Sequence, residues 1–203
     1  MVTAEPARPR GRRPAGEDAR GAIVSAARAE FAARGYDGTT LRGIARAARV
    51  DPRLVHHYFD GKGDVFAAAL DLPINPAELV ARVLDGPPDQ LGERLVRFFL
   101  NTWDPPDGRE ALTGLLRAAV SSPDAARLLR EFVTQNVFAR IAAAVALPDP
   151  LLRADLVAAQ MIGVAVLRYI LQLEPLASAP MDALVPLLAP TVQRYLTGDA
   201  AAG

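Results

Sequence analysis

The chain has no cysteine among its 203 residues and only two histidines, which are neighbours at positions 56 and 57. The missing thiols exclude a disulfide framework and a thiolate metal site. With both imidazoles on one short segment, none remains elsewhere to act as a base or a metal ligand. Adjacent helical positions point in different directions, so His56 and His57 are poorly placed to share one ion. The patterns G-x-x-x-x-G-K-[ST] and G-x-G-x-x-G are also absent, which removes two phosphate-binding signatures. Acidic residues are scattered, with no close carboxylate pair in an apolar setting. Catalysis is therefore the weakest reading, and no cofactor and no metal are expected. No run reaches the ~18 uncharged apolar residues of a membrane span. The longest candidate, residues 156–170, is shorter and ends near Arg168. The chain opens on Pro and Arg, unlike a charged-then-apolar leader. The expectation is a cytoplasmic protein with no membrane partner.

What the sequence does hold is apolar surface and unevenly placed charge. Hydrophobic residues make up 51% of the chain, ample for a core. Residues 1–70 carry eleven Arg and one Lys against eight acids, a net +4, and residues 71–203 carry eleven Arg against fifteen acids, a net −4. That asymmetry fits a chain with one end made for nucleic acid. Lys62 is the only lysine and falls in the basic half.

The first segment, 1–17, places Arg8, Arg10, Arg12 and Arg13 among Pro and Gly. It cannot bury a core and reads as a flexible basic arm for a phosphate backbone or minor groove. A solvated tail is the plainer alternative. A first helix is predicted over 18–34, with Ile23, Ala27 and Phe31 on one stripe and Gly35 as its C′ residue. Tyr36 should then pack back on the unit.

Residues 39–62, TTLRGIARAARVDPRLVHHYFDGK, read as a helix-turn-helix. Thr40 can cap the first helix, whose apolar face is Leu41, Ile44, Ala45 and Ala48. The connection falls at 48–50, sealed by Val50. Asp51 is a second N-cap, and Pro52 suits the first helical position, where a missing N–H costs nothing. The second helix runs to about Phe59, with Val55 and Phe59 inward. Arg53, His56 and His57 lie opposite, with Tyr58 at the edge. Such long, donor-rich side chains reach base edges and phosphates. A generic helical hairpin is the alternative without DNA.

T-T-L-R-x-I-A, then A-x-x-V, then H-H-Y-F-x-x-K, resembles the tetracycline repressor (TetR) family of bacterial transcriptional regulators. The resemblance covers about residues 20–70. It departs from the family at two places. Arg49 stands where the family usually has Gly, and His56 where it usually has Tyr. A left-handed non-Gly residue at the connection costs roughly 1–2 kcal/mol. The resemblance implies that Lys62 touches phosphate at the start of a fourth helix. Arg42 can approach DNA from the helix that precedes the recognition helix.

The rest reads as helix throughout, without strand pattern, repeat or heptad array. The helix opening near Gly61 should turn Val65, Phe66 and Leu70 inward. Further helices are expected from the Asn75-Pro76-Ala77-Glu78 start to Gly86, over about 89–103 and 109–120, and from the Ser122 cap towards 146. Two long apolar helices follow, over about 151–173 and 180–196. Pro186 and Pro190 are expected to kink or split the last. Residues 198–203 read as a frayed tail.

Both final helices are too apolar for a monomer surface. Ala159, Gly163, Val166 and Ile170 in one, and Leu184 and Leu188 in the other, are the expected dimer interface; the plainer alternative is that these helices complete the intramolecular core. The resemblance implies a two-fold four-helix bundle there. Phe98, Phe99, Trp103, Phe132 and Met161, with Gln135 and the further amides Asn101, Asn136 and Gln160, are candidates to line a small-molecule pocket; an ordinary core with surface amides is the plainer alternative. The expected fold is all-α: a three-helix DNA-binding domain over 18–70, then a helical effector-binding and dimerisation domain over 71–203. The function it implies is a homodimeric regulator, most simply a repressor, on a near-palindromic double-stranded operator and released by a small hydrophobic effector. A helical scaffold without DNA binding is the alternative, and the intact polar face at Arg53, His56, Tyr58 and Lys62 argues against it.

Overall fold

Capping chemistry sets the boundaries of the N-terminal helices in the computed structural model, which describes residues 15–144 and 147–198. The arm and the last five residues lie outside the described residues, apart from the start of the first helix. That helix, α1, spans Ala15–Gly38, three residues earlier than its periodicity predicts. Its regular part ends at Gly35, where φ is 73° and ψ is 176°. Thr39 secures this end from below, its buried hydroxyl donating to the Gly35 carbonyl at 2.8 Å.

Helix α2 spans Leu41–Ala48 and α3 spans Pro52–Tyr58. The Thr40 hydroxyl accepts from the Gly43 N–H, and an Asp51 carboxylate oxygen accepts from the Arg53 N–H at 2.8 Å. Arg49, between them, is left-handed with φ 56° and ψ 41°. Its N–H closes α2 on the Ala45 and Arg46 carbonyls. Helix α4 spans Lys62–Ala69. Leu70, expected inside, is its C-cap and is exposed. Arg28 donates to the Ala69 carbonyl there at 2.6 Å, tying α1 to the end of α4.

Helix α5, Pro76–Leu84, starts where Asn75 accepts from the Ala77 N–H at 2.9 Å. A 3-10 turn at Pro88–Gln90 leads into α6, Leu91–Trp103. Then come α7, Pro106–Ser121, and α8, Pro123–Val133 with the Ser122 cap. A π-turn at Thr134–Phe138 joins α8 to α9, Ala139–Ala144. Helix α10, Pro150–Ala165, likewise runs into a π-turn at Val166–Ile170. Helix α11 spans Met181–Thr197.

Pro186 and Pro190 lie inside α11 and do not split it. One face of α11, with Leu184, Val185, Val192 and Leu196 buried, packs along α6. Tertiary packing holds the helix where two missing N–H groups weaken it. The two helices approach closely because position 92 is glycine. A Cβ there would lie 2.6 Å from the Ala189 carbonyl oxygen.

The N-terminal core does not stop at the predicted boundary near residue 70. Ile23, Phe31, Ile44, Val55 and Phe66 pack with Phe132 of α8 in one buried cluster. Phe66 and Phe132 rings lie 4.7 Å apart, and Phe31 and Phe66 stand edge to face at 4.8 Å. Helix α8 is therefore wedged against the helix-turn-helix unit.

Candidate nucleic-acid interface and effector cavity

The side chains predicted to read DNA come to the surface. Thr40, Arg42, Pro52, Arg53, His56 and His57 are exposed, as is Asp51. Val55 and Phe59, on the other side of α3, are 0% and 3% exposed. A seven-residue helix thus has one anchored face and one open, donor-rich face. Thr40 and Asp51 spend a side-chain oxygen on their own caps. Tyr58 is half-buried, its ring 5.0 Å from that of His57.

Lys62 is only partly free for a phosphate. Its ammonium donates to the Tyr36 carbonyl at 2.9 Å and lies 4.3 Å from the centre of the Tyr36 ring. It therefore clamps the end of α1 to the start of α4, a role its spacing did not reveal.

Tyr36 is the most connected residue of this region. It is 1% exposed and stacks with Phe31 at 5.6 Å. The Asn136 side-chain amide donates to its hydroxyl at 2.7 Å and to the Phe132 carbonyl at 2.9 Å. Its own N–H donates to a Glu131 carboxylate oxygen at 3.2 Å. Burial raises the Tyr36 pKa, against the Asn136 hydrogen bond and the Arg140 charge, which pull it down. Gln135 donates to Asp37. Gln135 is therefore not a pocket residue: the π-turn that carries it and Asn136 aims both amides at the end of α1. A sequence cannot signal such a turn, because one residue per turn changes the face of everything beyond it.

The other five predicted pocket residues do meet at a cavity of about 280 Å³, which Phe98, Phe99, Trp103, Phe132 and Met161 line together with aliphatic side chains between Leu72 and Leu196. Phe132 belongs to this wall and to the N-terminal core at once. A more open cleft of about 590 Å³ lies outside, along α5, α6 and the start of α7.

Of the predicted interface, Ala159, Gly163 and Ile170 are exposed, and Val166 and Leu188 are half-buried. Leu184 is a correction. It is 6% exposed and packs in the core with Leu95 and Val96, because α11 turns that face to α6. Leu187, at 75%, is the apolar residue that α11 presents outward. In α10 and its π-turn, Leu152, Leu156, Ala159, Gly163, Leu167 and Ile170 form one exposed stripe at helical spacing. Residues Pro150–Ile170, 21 in all, are long and apolar enough by composition to cross a membrane, longer than the run seen in the sequence. Both of its arginines are used inside the protein. Buried Arg153 donates to the Tyr195 and Gly198 carbonyls at 3.1 and 3.0 Å, capping α11. Buried Arg168 pairs with Asp104 at 2.8 Å, and the Tyr169 hydroxyl donates to the same carboxylate at 2.9 Å. Burial first, then that carboxylate, raises the Tyr169 pKa well above its ordinary value. Among the described residues no group of three His, Cys, Asp or Glu side chains could hold a metal.

A capped helix-turn-helix, wedged against a helical region that encloses an apolar cavity, defines a two-part, all-helical helix-turn-helix fold. Residues 23–69 match the bacterial regulatory proteins of the tetR family, and residues 89–196 match the tetracyclin repressor-like C-terminal domain. The chain belongs to the TetR family of bacterial regulatory proteins. It is similar to a TetR-family regulator of Streptomyces coelicolor, at 36% identity over 92% of this chain and 98% of that one, with a TM-score of 0.47. An HTH-type transcriptional repressor of the same organism is 33% identical over 75 residues, 31% of this chain. That match spans 39% of the repressor's own length. NalD, the secondary repressor of the MexAB-OprM multidrug efflux pump in Pseudomonas aeruginosa, is 23% identical over 91% of this chain and 99% of its own, with a TM-score of 0.47.

Proposed function

We propose that this chain is a homodimeric, cytoplasmic repressor that leaves its operator when a small hydrophobic molecule fills the inner cavity. Residues 1–17 serve as a basic arm, 18–70 bind DNA, and 71–203 dimerise and hold the effector. Two copies of α3 enter successive major grooves of a near-palindromic site. Arg53 and His56 supply base-edge contacts, with Arg42 and Lys62 at the backbone. The exposed stripes of α10 and α11 meet across the two-fold axis.

The observation that carries the reading is Phe132. Its ring lines the cavity and packs on Phe66 and Tyr36, the residues that set α1 and α4 against the helix-turn-helix. An effector that repacks Phe132 acts on the wedge between the two regions, and with it the spacing of the two recognition helices. It shifts the population only as far as it prefers one arrangement.

The test has two stages. Genomic fragments retained by the protein are sequenced to give the operator. Trp103, the only tryptophan, then reports cavity binding by its emission. A cognate ligand perturbs Trp103 and weakens operator binding, and operator weakens the ligand by the same factor. Cavity binding that leaves operator affinity unchanged contradicts the coupled mechanism.

A further inference from the structure

Four described residues other than glycine are left-handed: Arg49, Asp71, Asp149 and Gln172. Of these only Arg49 carries a positive charge and lies in the helix-turn-helix. The bonds it makes there are backbone bonds, from its N–H to the Ala45 and Arg46 carbonyls. Glycine can make the same bonds without the steric cost of a Cβ. The Arg49 side chain is exposed, and it makes no hydrogen bond, ion pair or ring contact with any described residue. No side-chain contact among the described residues therefore offsets the strain. A strained residue whose side chain has no internal task points to something the molecule binds.

The surrounding charge gives the chemistry of that partner. Residues 39–59 hold Arg42, Arg46, Arg49 and Arg53 against a single acid, Asp51. All four arginines are exposed, and none has a side-chain partner among the described residues. Asp51 does not neutralise them, since its carboxylate caps α3 by accepting from the Arg53 N–H. The arginines of α1 differ: Arg28 pairs with Asp71 at 2.6 Å and Arg34 with Glu30 at 3.0 Å. Lys62 is already held by the Tyr36 carbonyl. Free positive charge is thus concentrated on α2, α3 and the turn between them. In a helix-turn-helix on DNA, the first turn of the recognition helix reaches base edges and the helix before it crosses the backbone. Arg49 lies between the two, just before the Asp51 cap, and so beside the phosphate wall of the groove and not at its floor.

We propose that Arg49 binds a DNA phosphate at the edge of the groove that α3 enters, and that its left-handed strain is tolerated for this contact. The inference rests on the helix-turn-helix docking on DNA through α3. A guanidinium suits the role, because its fork of N–H donors matches two phosphate oxygens. The contact carries no base preference. It releases one more counterion per subunit, so affinity for any duplex falls more steeply with salt.

The experiment titrates the full-length protein, Arg49→Asn and Arg49→Lys with operator and with a scrambled duplex, at salt from about 50 to about 200 mM. Asn enters the left-handed region more readily than Arg and keeps the backbone N–H, so it removes the charge and not the turn. Arg49→Asn is expected to flatten the slope of log affinity against log salt by about one per subunit, on both duplexes alike. Across that range the wild type then loses about threefold more affinity per subunit than the variant. Arg49→Lys is expected to restore the slope. Arg117 is an exposed arginine of α7 without a side-chain partner among the described residues, and α7 packs on α6 and α8. Arg117→Gln therefore controls for net charge and should leave the slope as it is. An unchanged slope in Arg49→Asn, while Arg53→Ala weakens the operator, overturns the Arg49 contact and leaves docking through α3 standing. A loss confined to the operator makes Arg49 a base reader and overturns the phosphate assignment. An equal change in Arg117→Gln reduces the effect to net charge and overturns the contact as well. If neither Arg49→Asn nor Arg53→Ala alters either duplex, docking through α3 fails and the inference fails with it.

Discussion

The Asn136 amide holds the Tyr36 hydroxyl at 2.7 Å, across 100 positions of sequence and across the junction of the two regions. Both side chains are buried. Removing one partner strands the other, at a cost of about 1–3 kcal/mol, whereas removing both costs less than the sum. Tyr36→Phe, Asn136→Ala and the double variant form a cycle measurable by urea denaturation. A favourable coupling of about 1 kcal/mol is expected. The double variant is also expected to bind effector normally while transmitting less of it to the operator. Additive single effects with full transmission contradict a role for this bond in coupling.

The protein is expected to lose stability in alkali. Burial raises the pKa of both Tyr36 and Tyr169. In the unfolded chain these phenols ionise near pH 10. In the folded chain they keep their protons to higher pH. The folded state therefore binds more protons than the unfolded one above pH ~10, and stability falls as pH rises from there. Below that window the contribution is intact. Denaturation midpoints at pH 8 and pH 11 measure the loss, and Tyr169→Phe should reduce it. A midpoint that rises with pH contradicts the assignment.

Arg49 pays for a left-handed turn that glycine enters freely. Relief of roughly 1–2 kcal/mol of strain is offset by roughly 0.4–1 kcal/mol of added unfolded-chain entropy. Arg49→Gly should therefore raise stability by up to about 1 kcal/mol. The comparison is a thermal melt of both proteins at equal concentration. A destabilised glycine variant means that the Arg49 side chain contributes more than its backbone costs.

Local chemistry was legible in the sequence wherever one residue acts on its near neighbours. Thr40, Asp51, Asn75 and Ser122 are caps by residue type and position, and each caps a helix. Five of the six pocket candidates line the cavity, because large apolar side chains at helical spacing have to face inward together. Gln135 was misplaced because the π-turn re-aims it, and Leu184 because an all-round apolar helix does not reveal which face meets α6 and which meets a partner. The long-range bonds of Arg153, Arg168 and Asn136 connect positions 41 to 100 apart. No local pattern announces such pairs.

Gly163 offers a clean probe of the dimer. A Cβ at this position meets nothing within 4 Å, so Gly163→Arg leaves the monomer's packing undisturbed. Leu187→Arg, at a residue 75% exposed, does the same on α11. Buried in a subunit interface, either arginine is an uncompensated charge, costing about 3–5 kcal/mol. Sedimentation should find both variants folded and monomeric. Stable dimers in both cases place the interface elsewhere.

The central claim is that α3 reads base sequence, and Arg53 tests it. The operator recovered from genomic fragments and a scrambled duplex of equal length are titrated with wild type and Arg53→Ala at several salt concentrations. Arg53→Ala should lose roughly 1–3 kcal/mol per half-site on the operator and relax preference at one base pair, while changing scrambled-DNA affinity little. Equal losses on both duplexes, with a shallower salt slope, would make Arg53 a backbone contact and contradict α3 as the recognition helix.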